Sequence, residues 1–569
     1  GDGIVDEYFD RLEQLPLYKA LVKDGLASAG LTGRGRTSSR DDETWTLPPE
    51  WLHDDFLGDI RPTVYRSTPA GDVWRIVTPE GGIEDTSYNE YHQKTAITNS
   101  AGATTSYTFN EDGVLISTEY PGGLTEYVEP GAWATPVRIV STDGLATECD
   151  IDVFGMVRAV TTPAGETTAH IYDVRSSGIV PASTIRPDGT TTVIEADDAG
   201  RIIAATDAAG RRTSILRDVR GLPIETIDPA GACTRIEYTP EGWPARVTHP
   251  DDTQVSAVYD GEGNQISSTN EIGAVTTSYF TVFDKLGATT DATGATTRLE
   301  YNTQMQPIRL TNADGNVWQY SYDLDGTVAC ETDYNGITTT NALSADGISS
   351  TITTPAGTST LVRHADGRID KIADALGTNT YFYDEFNRLT GIQGPQATID
   401  IDRDGYGRPI KETVTLASGE STVHALTVGS TGKIASESIT LPLGDTFATT
   451  IAYDDVGDIA GTTHSRTRRG SESTENLAEI RYGNDVRGIR SHLAVGSIVR
   501  NFSSDARGRT TADTLSALDA EEEGGLRTIA SRMFSWREDS SLSTITDFLR
   551  GVTSFDLDTV GRVTRLTRT

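Results

Sequence analysis

A strict 21-residue period runs through the middle of the chain and limits what it can fold into. One series of turn residues extends from Gly189 to Gly357, and a second series with the same period, from Gly200 to Gly347, falls between its members. The first series is Gly189, Gly210, Gly231, Asp252, Gly273, Gly294, Gly315, Gly336 and Gly357. A fixed period of this kind indicates a repeat architecture, in which neighbouring units bury one another's faces and none is stable alone.

Each half-repeat of about 10 to 11 residues has room for one strand and one turn. The segments Asp207 to Gly210 and Asp228 to Gly231 have turn chemistry. The Asp side chain accepts the amide two residues on, and Gly supplies the positive φ that closes a type I turn with a bulge. Runs rich in Thr, Val, Ile and Tyr lie between the turns and are typical of strands. The pattern predicts an all-β fold built as an array of antiparallel hairpins.

Two other repeat folds fit a period of this length. Twenty-one residues also suit one coil of a β-helix, and twice that length suits one blade of a propeller. Turns at the half-period favour hairpins over coils, and no signature recurs at the doubled period.

The composition suits a thin wall better than a compact core. Hydrophobic residues make up 36% of the 569 residues, below the roughly 45–50% of typical globular chains. A net charge of −35 repels phosphate backbones and anionic membrane surfaces, which argues against nucleic-acid binding. It suits a solvated acidic surface or a basic partner. Much of the strand material is Thr and Ser, which fits a sheet curled into a wall or tube that is wet on one or both faces.

Other sequence signals exclude several classes of protein. The three cysteines have no CxxC spacing and predict no disulfide framework. No apolar run approaches the roughly 18 residues of a membrane span. The chain begins at Gly1 without a charged and apolar leader, so we expect no signal peptide within it, and a first residue other than Met is typical of a processed or excised piece.

The chain is predicted to have three segments. Residues 1–60 form a helical cap or plug and a linker, because Val5, Tyr8, Phe9 and Leu12 have helical spacing and a Gly-rich, locally basic stretch follows. Residues 61–393 are regular repeats. Residues 394–569 are less regular, with turns about 11 to 13 residues apart, and continue the same wall.

The Tyr-Asp pairs followed by a Gly turn, as in Tyr259 to Gly263 and Tyr322 to Gly326, resemble the YD repeats of Rhs proteins. The same repeats occur in the BC components of Tc toxins and in teneurins. The resemblance covers residues 61–569 and rests on some twenty phased units. It implies a long spiralling sheet that forms a hollow, barrel-like shell. In bacterial members the shell encloses a C-terminal toxin or effector as cargo, and a delivery apparatus or chaperone is a further partner that the resemblance suggests.

The residues we single out are structural positions of the repeat. They are Tyr172, Asp173, Asp207, Gly210, Asp228, Gly231, Tyr238, Tyr259, Asp260, Tyr301, Tyr322, Asp323, Gly326, Tyr383 and Asp384. No catalytic, cofactor-binding or metal-binding residue is predicted. The segment Asp228 to Gly231 matches the opening tetrapeptide of the family's self-cleavage motif. It lies at an ordinary turn position of the repeat, however, and is interpreted as a turn. The family's C-terminal core is not recognisable.

Three further patterns have competing interpretations. The segment Asp400 to Gly405 opens like a calcium loop, but Lys411 stands where a bidentate Glu is needed, so a strand running into a turn is favoured. The eight histidines are scattered without ligand spacing. Trp133, Trp243 and Trp318 suit either sugar-stacking platforms or cross-strand packing, and their phase in the repeat favours packing.

We predict a non-enzymatic encapsulating shell of an Rhs-type polymorphic toxin, secreted or at the cell surface, that serves competition between bacteria. The alternative is an extracellular adhesion or carbohydrate-binding YD-repeat protein, closer to the teneurin use of the repeat. A carbohydrate-active enzyme on a different repeat fold is a third possibility.

Overall fold

The structure is a computed structural model. It describes residues 63–78, 81–172, 180–302, 304–344, 346–518 and 525–569. The chain divides into two compact units, Gly1–Asn99 and Ser100–Thr569. The predicted helical cap and linker at residues 1–60 lie outside the described residues, as does Asp173.

The described part of the first unit is a meander of four antiparallel strands. They are β1 (Val64–Ser67), β2 (Val73–Val77), β3 (Ile83–Tyr88) and β4 (Lys94–Thr98), each paired with the next. The Tyr88 hydroxyl donates to the carbonyl oxygen of Val73 at 2.8 Å. This bond ties the end of β3 to the start of β2.

The described residues of the second unit contain 42 strands and one 3₁₀ turn (Ala132–Ala134). The first nineteen strands are β5 (Thr104–Phe109), β6 (Leu115–Tyr120), β7 (Leu124–Pro130), β8 (Pro136–Val140), β9 (Ala146–Ile151), β10 (Val157–Thr161), β11 (Thr167–Ile171), β12 (Ser183–Ile185), β13 (Thr191–Ala196), β14 (Ile202–Thr206), β15 (Arg212–Arg217), β16 (Pro223–Ile227), β17 (Cys233–Tyr238), β18 (Pro244–Thr248), β19 (Gln254–Tyr259), β20 (Gln265–Thr269), β21 (Val275–Phe280), β22 (Leu286–Thr290) and β23 (Thr296–Tyr301).

The remaining strands of this unit lengthen along the chain, in line with the wider spacing of the turns. They are β24 (Pro307–Thr311), β25 (Val317–Tyr322), β26 (Val328–Thr332), β27 (Thr338–Leu343), β28 (Ser349–Thr354), β29 (Gly357–Arg363), β30 (Ile369–Asp374), β31 (Gly377–Tyr383), β32 (Leu389–Gln393), β33 (Ala397–Arg403), β34 (Pro409–Leu416), β35 (Ser421–Val428), β36 (Ile434–Thr440), β37 (Thr446–Tyr453), β38 (Ile459–Thr467), β39 (Thr474–Asn484), β40 (Arg490–Val495), β41 (Ile498–Ser504), β42 (Thr510–Leu518), β43 (Leu526–Trp536), β44 (Leu542–Asp547), β45 (Gly551–Leu557) and β46 (Val563–Arg568).

Every strand from β5 to β46 pairs antiparallel with its neighbours in sequence, which confirms the predicted array of hairpins. Most turns after odd-numbered strands follow a bulge at the end of the strand, as between Glu237 and Tyr238, with β11 and β27 as exceptions. Most turns after even-numbered strands do not shift the register, as where Thr206 faces Arg212, with β38 and β42 as exceptions. The regular repeats therefore alternate two kinds of turn.

The sheet of the second unit is one layer thick. Among the described residues only Ala103 and Ala204 are buried hydrophobic residues, and no large side chain is fully buried. In β17 the side chains of Arg235 and Glu237 are exposed, whereas Thr234, Ile236 and Tyr238 on the other face are half-buried. A conventional core needs a second layer against the apolar face, and the described residues supply none.

The sheet is not closed into a barrel, which corrects the barrel-like part of the prediction. In the described residues β46 pairs with β45 and with no other strand. Barrel closure would require the two edge strands to share a ladder of backbone hydrogen bonds. The sheet instead returns to itself through side chains on its turns, described below. No helix in the described part of the chain is long and apolar enough to span a membrane.

Candidate functional site

The two faces of the sheet differ in chemistry. One face, which we call the ion-pair face, carries cross-strand pairs such as Arg235 with Glu225, 3.0 Å apart, and Arg246 with Glu237, 3.6 Å apart. These side chains are mostly solvated, so each pair contributes only about 0–1 kcal/mol. The pairs favour the observed strand register, because like charges directly opposite one another are destabilising.

The opposite face, which we call the tyrosine face, carries apolar rows across the strands. Ile236 faces Val247, and Val247 faces Val255 on the next strand. Leu299, Leu310 and Trp318 form a second row of the same kind. These side chains are half-buried by their neighbours in the sheet, so much of their apolar surface stays open to contact.

The tyrosines singled out from the sequence all have one role on this face. Each hydroxyl donates to the backbone carbonyl of the first residue, or the first paired residue, of the preceding strand. The bonds are Tyr172 to Val157 (3.0 Å), Tyr238 to Pro223 (2.8 Å), Tyr259 to Pro244 (2.9 Å), Tyr301 to Leu286 (2.9 Å), Tyr322 to Pro307 (2.6 Å) and Tyr383 to Ile369 (2.8 Å). The tyrosine thus satisfies an acceptor that the bulge leaves outside the ladder.

Arginine fills the same position in two hairpins that lack the tyrosine. Arg217 donates through Nε and Nη2 to the carbonyl oxygen of Ile202, at 3.1 and 2.9 Å. Arg403 donates to the carbonyl oxygen of Leu389 at 3.0 Å. Sequence reasoning missed this equivalence, although Arg217 stands seven residues after Gly210, where the aromatic residue recurs in other repeats.

The aspartates singled out from the sequence close turns. In each case one carboxylate oxygen accepts the backbone amides two and four residues further on. The residues are Asp207, Asp228, Asp260, Asp323 and Asp384, with distances of 2.8 to 3.1 Å. Gly210, Gly231 and Gly326 follow at φ of 76°, 83° and 86°. The tetrapeptide from Asp228 to Gly231 therefore lies in the turn between β16 and β17.

Side chains on distant turns meet along a seam. Each contact joins a turn from the first part of the second unit to a turn more than 230 residues later. The contacts are Arg388 with Asp143 (3.0 Å), Arg408 with Glu166 (2.7 Å), Lys433 with Asp188 (2.5 Å), Arg211 with Asp458 (2.7 Å), Arg509 with Asp251 (3.1 Å) and Arg507 with Glu271 (2.7 Å). Most of these side chains are at most one-third exposed, so the pairs are less screened than those on the ion-pair face.

The seam shows how the sheet coils. Most of its contacts join a turn after an even-numbered strand to the turn that lies 23 strands further along the chain. In a meander, turns after even-numbered strands lie on one edge of the sheet and turns after odd-numbered strands lie on the other. The separation between two turns that meet edge to edge is therefore an odd number of strands. One edge of the first coil therefore meets the opposite edge of the second. At about 4.8 Å per strand, 23 strands make about 110 Å of sheet per turn of the spiral.

The tyrosine face is the concave side of this coil. A sheet that returns to itself in about 110 Å is strongly curved, so side chains converge on its inner face and diverge on its outer face. In β13, β17 and β23 the side chains of Ile194, Ile236 and Leu299 on the tyrosine face are less exposed than the residues on either side of them. The ion-pair face is therefore the convex, outer side.

The charges along the seam set which turn meets which. Glu166 meets Arg408 and Asp188 meets Lys433, but at the next rung the signs are reversed, and Arg211 meets Asp458. A slip of one rung would place Asp188 against Asp458, or Arg211 against Lys433. Burial alone would raise the pKa of Asp188, but hydrogen bonds from Lys433 and Thr190 lower it to about 2.

A local sequence signal marks many of these contacts. Arg388, Arg408 and Arg509 each directly follow the left-handed residue of a turn and donate Nε to the Asp that opens the turn. Their remaining guanidinium nitrogens reach the other coil. Arg211 follows Gly210 and bonds Asp207 and Asp458 in the same way. The motif Asp-x-x-Gly-Arg, or Asn in place of Gly, could therefore have predicted the basic partner in four of the six seam pairs from the sequence.

The turn after β16 and the turn after β39 share no such pair among the described residues. The turn from Asp228 to Ala232 lies opposite the turn from Asp485 to Ile489, and a cavity of about 430 Å³ opens there. His249, Arg487 and Arg507 also line it. Arg487 is held by Asp485 at 3.0 Å and Arg507 by Glu271 at 2.7 Å, so both guanidinium groups are already engaged.

The remaining sequence candidates have structural placements. Trp243 packs on Tyr259 with ring centres 5.4 Å apart, and Trp318 packs on Tyr334 at the same distance. Trp133, in contrast, is 75% exposed. In the calcium-like segment Asp402 pairs with Lys411 at 2.8 Å and Asp404 closes a turn. The described residues contain no group of acidic, His and Cys side chains suited to a metal ion.

Together these features define a spiralling, single-layer sheet of YD-type hairpins. No family model and no curated protein matches the sequence. A crystal structure of TcdB2-TccC3 matches with a TM-score of 0.54 and 11% identity over 88% of this chain and 31% of that chain. A crystal structure of TcdB2-TccC3-Cdc42 gives a TM-score of 0.53 and 11% identity over 88% and 33%.

The Tc holotoxin pore of Photorhabdus luminescens, in a form with a TccC3 mutation, gives a TM-score of 0.48 and 13% identity over 89% of this chain and 30% of that chain. That score is too low to carry an argument. The two matches above 0.5 establish the fold and nothing further at their level of identity. This chain spans about a third of the length of the chains it matches.

Proposed function

We propose that this chain is the wall of a hollow, non-enzymatic container that encloses a C-terminal toxin or effector. The protein would be exported, act outside the producing cell or at its surface, and serve competition between bacteria. The observation that carries the proposal is the tyrosine face, an apolar concave face with no second layer on it in the described residues.

Such a face suits a cargo that is not fully folded. Burying apolar surface is worth about 25 cal/mol per Å², and a chain held in a partly unfolded state offers apolar groups to the rows around Val247 and Leu310. The enclosing sheet has few free strand edges, so it offers little backbone for the cargo to pair with. The seam supports enclosure because it joins successive coils with charge-assisted hydrogen bonds.

The fold likeness supports the same proposal. The two matches with a TM-score above 0.5 are to TcdB2-TccC3, alone and together with Cdc42. At 11% identity and a third of the length, the transfer of cargo and toxicity to this chain is our inference. A delivery apparatus or chaperone would act on the convex side of the wall.

The absence of a catalytic role is likewise part of the proposal. Many acidic residues of the repeat are engaged in turns, in seam pairs or in cross-strand pairs. For example, Asp207 accepts two backbone amides and is also bonded to Arg211. Carboxylates held in this way are poorly placed to exchange protons with a substrate.

The test is encapsulation of a reporter enzyme fused after Thr569. We expect the fused reporter to be inactive and resistant to protease, with added density against the tyrosine face in cryo-EM maps. An equimolar mixture of the chain and the separate reporter is the matched control and should keep full activity. A fused reporter that is active, and is digested as fast as the free enzyme, would contradict the proposal.

A further inference from the structure

An exposed apolar cluster lies on the edge of the first coil that is opposite to the seam. The turns after odd-numbered strands of β5 to β23 form this edge, which we call the outer rim. Trp133 is 75% exposed in the turn between β7 and β8, and Val153 and Phe154 are 79% and 77% exposed in the next rim turn, between β9 and β10. We call these three residues the Trp133 cluster.

The indole of Trp133 is held in place. Its Nε1 donates to the carbonyl oxygen of Val153 at 3.2 Å. Its ring also lies over Gly155, where an added Cβ would come within 3.2 Å of Trp133 Cδ1. These two contacts join adjacent rim turns and fix a large aromatic ring in an exposed position.

The backbone is strained at Trp133 and Ala134, the residues that carry and follow the exposed ring. Trp133 has φ of 64° and Ala134 has φ of 57°, a region that costs residues other than Gly about 1–2 kcal/mol. Most other turns of the second unit place Gly in this region. Strain of this kind persists where the surrounding structure over-determines it, and it concentrates at functional sites.

The surroundings of the cluster are acidic. The preceding rim turn, between β5 and β6, exposes Glu111 and Asp112. The whole chain carries a net charge of −35. Among the described residues the indole contacts the carbonyl oxygen of Val153 and Gly155, and no polar side chain hydrogen-bonds to it. This disfavours a sugar, which needs polar groups beside the stacking ring.

We propose that the Trp133 cluster is a docking site for a protein partner that presents an apolar pocket surrounded by basic residues. A rigid Trp with flanking apolar side chains has the composition of an interface hot spot, because little side-chain entropy is lost when it binds. The acidic turn before the cluster attracts the basic border of the partner and orients it. The site lies on the rim of the wall and is independent of what the wall encloses.

The probe is a random peptide library displayed on phage and selected on the purified wild-type chain. Counter-selection uses a Trp133→Gly/Phe154→Ser double variant, in which glycine suits the backbone at 133. We expect the surviving peptides to combine positive charge with aromatic or aliphatic residues. An absence of survivors, or survivors without a charge bias, would overturn the proposal.

Affinity of one selected peptide then separates the alternatives. We expect Phe154→Ser to weaken binding at least about tenfold and binding to weaken further with added salt. Val219→Ser is the matched control, because Val219 is fully exposed on the same rim but lies three rim turns away, and it should change affinity less than about twofold. Equal losses in the two variants would refute the site.

Two further measurements address other occupants. A glycan array on which binding depends on Trp133 would assign the cluster to carbohydrate and overturn the proposal. Sedimentation that shows self-association of the wild type, lost in the double variant, would assign it to a second copy of the chain. We expect neither result, and we expect unchanged thermal unfolding of Phe154→Ser because that side chain is exposed.

Discussion

The ammonium group of Lys433 lies 2.5 Å from Oδ2 of Asp188, although 245 residues separate them. Thr190 adds two bonds to the same carboxylate, at 3.0 Å from its amide and 2.6 Å from its hydroxyl. The Asp188 side chain is 14% exposed. This pair therefore joins two coils of the sheet at a point where solvent screens charge weakly.

The seam should depend on pH in a defined window. The pKa of Asp188 falls from an ordinary 3.8 to about 2, so its stabilising effect is complete above about pH 4 and is lost as the pH falls through about 2. The shift corresponds to about 2 kcal/mol. Hydrogen exchange at the amides of the Asp188 turn, measured relative to the intrinsic exchange rate at each pH, should rise only below pH 4. Asp188→Asn should remove this dependence, and an unchanged profile in that variant would refute the assignment.

Changing the charge of one partner in a seam pair should destabilise the contact between the coils, and exchanging both charges should restore it. Asp458→Arg places two guanidinium groups together at Arg211, and we expect it to destabilise the contact between the coils by about 1–3 kcal/mol. The double variant Arg211→Asp/Asp458→Arg should recover much of the loss because the pair is restored with opposite sign. Protease susceptibility of the two turns is the measurement. A double variant no better than the single one would show that the pair does not act across the seam.

Loss of a tyrosine hydroxyl should loosen one strand end. Tyr238→Phe removes the bond to the carbonyl oxygen of Pro223 and should cost about 0.5–1.5 kcal/mol. Tyr238→Arg should cost less, because Arg217 already makes the equivalent bond. Thermal unfolding with hydrogen exchange around β16 and β17 checks both. Tyr279→Phe is the control, since Tyr279 is 64% exposed on the ion-pair face, and a cost equal to that of Tyr238→Phe would contradict the role.

Met305, which stands where most repeats have Gly, and Gly294, a regular member of the series, should respond to substitution in opposite directions. Met305 has φ of 61°, so Met305→Gly should stabilise the protein by about 0.5–1 kcal/mol. Gly294 has φ of 85° and open space around its missing Cβ, so Gly294→Ala should destabilise by about 1 kcal/mol through backbone strain alone. Chemical denaturation measures both. Shifts of the same sign would indicate that strain at these turns is relieved elsewhere.

The repeat could be predicted in detail because its contacts are local. The Asp207 carboxylate bonds amides two and four residues away, and the Tyr259 hydroxyl bonds a carbonyl 15 residues away. Such contacts recur whenever the same residues recur at the same spacing, so the period predicts hairpins, turn type and the alternation of faces.

The coil contacts could not be predicted in the same way. Barrel-like closure was expected from the resemblance, but the final strand β46 pairs with β45 alone in the described residues. The basic half of the seam has a local signal, since Arg388 and Arg408 follow their turns directly. Their acidic partners, Asp143 and Glu166, have none that marks them among so many carboxylates.

The sequence by itself determined the hairpins, because short hydrogen-bonded loops are decided by neighbouring residues. Only the tertiary structure decided that the sheet meets itself 23 strands on, that Lys433 therefore faces Asp188, and that Trp133 is left exposed on the opposite edge. The reason is that the coil depends on the twist and bend added at each strand. Those small angles accumulate over more than twenty strands, and their sum cannot be read from the sequence of any single repeat.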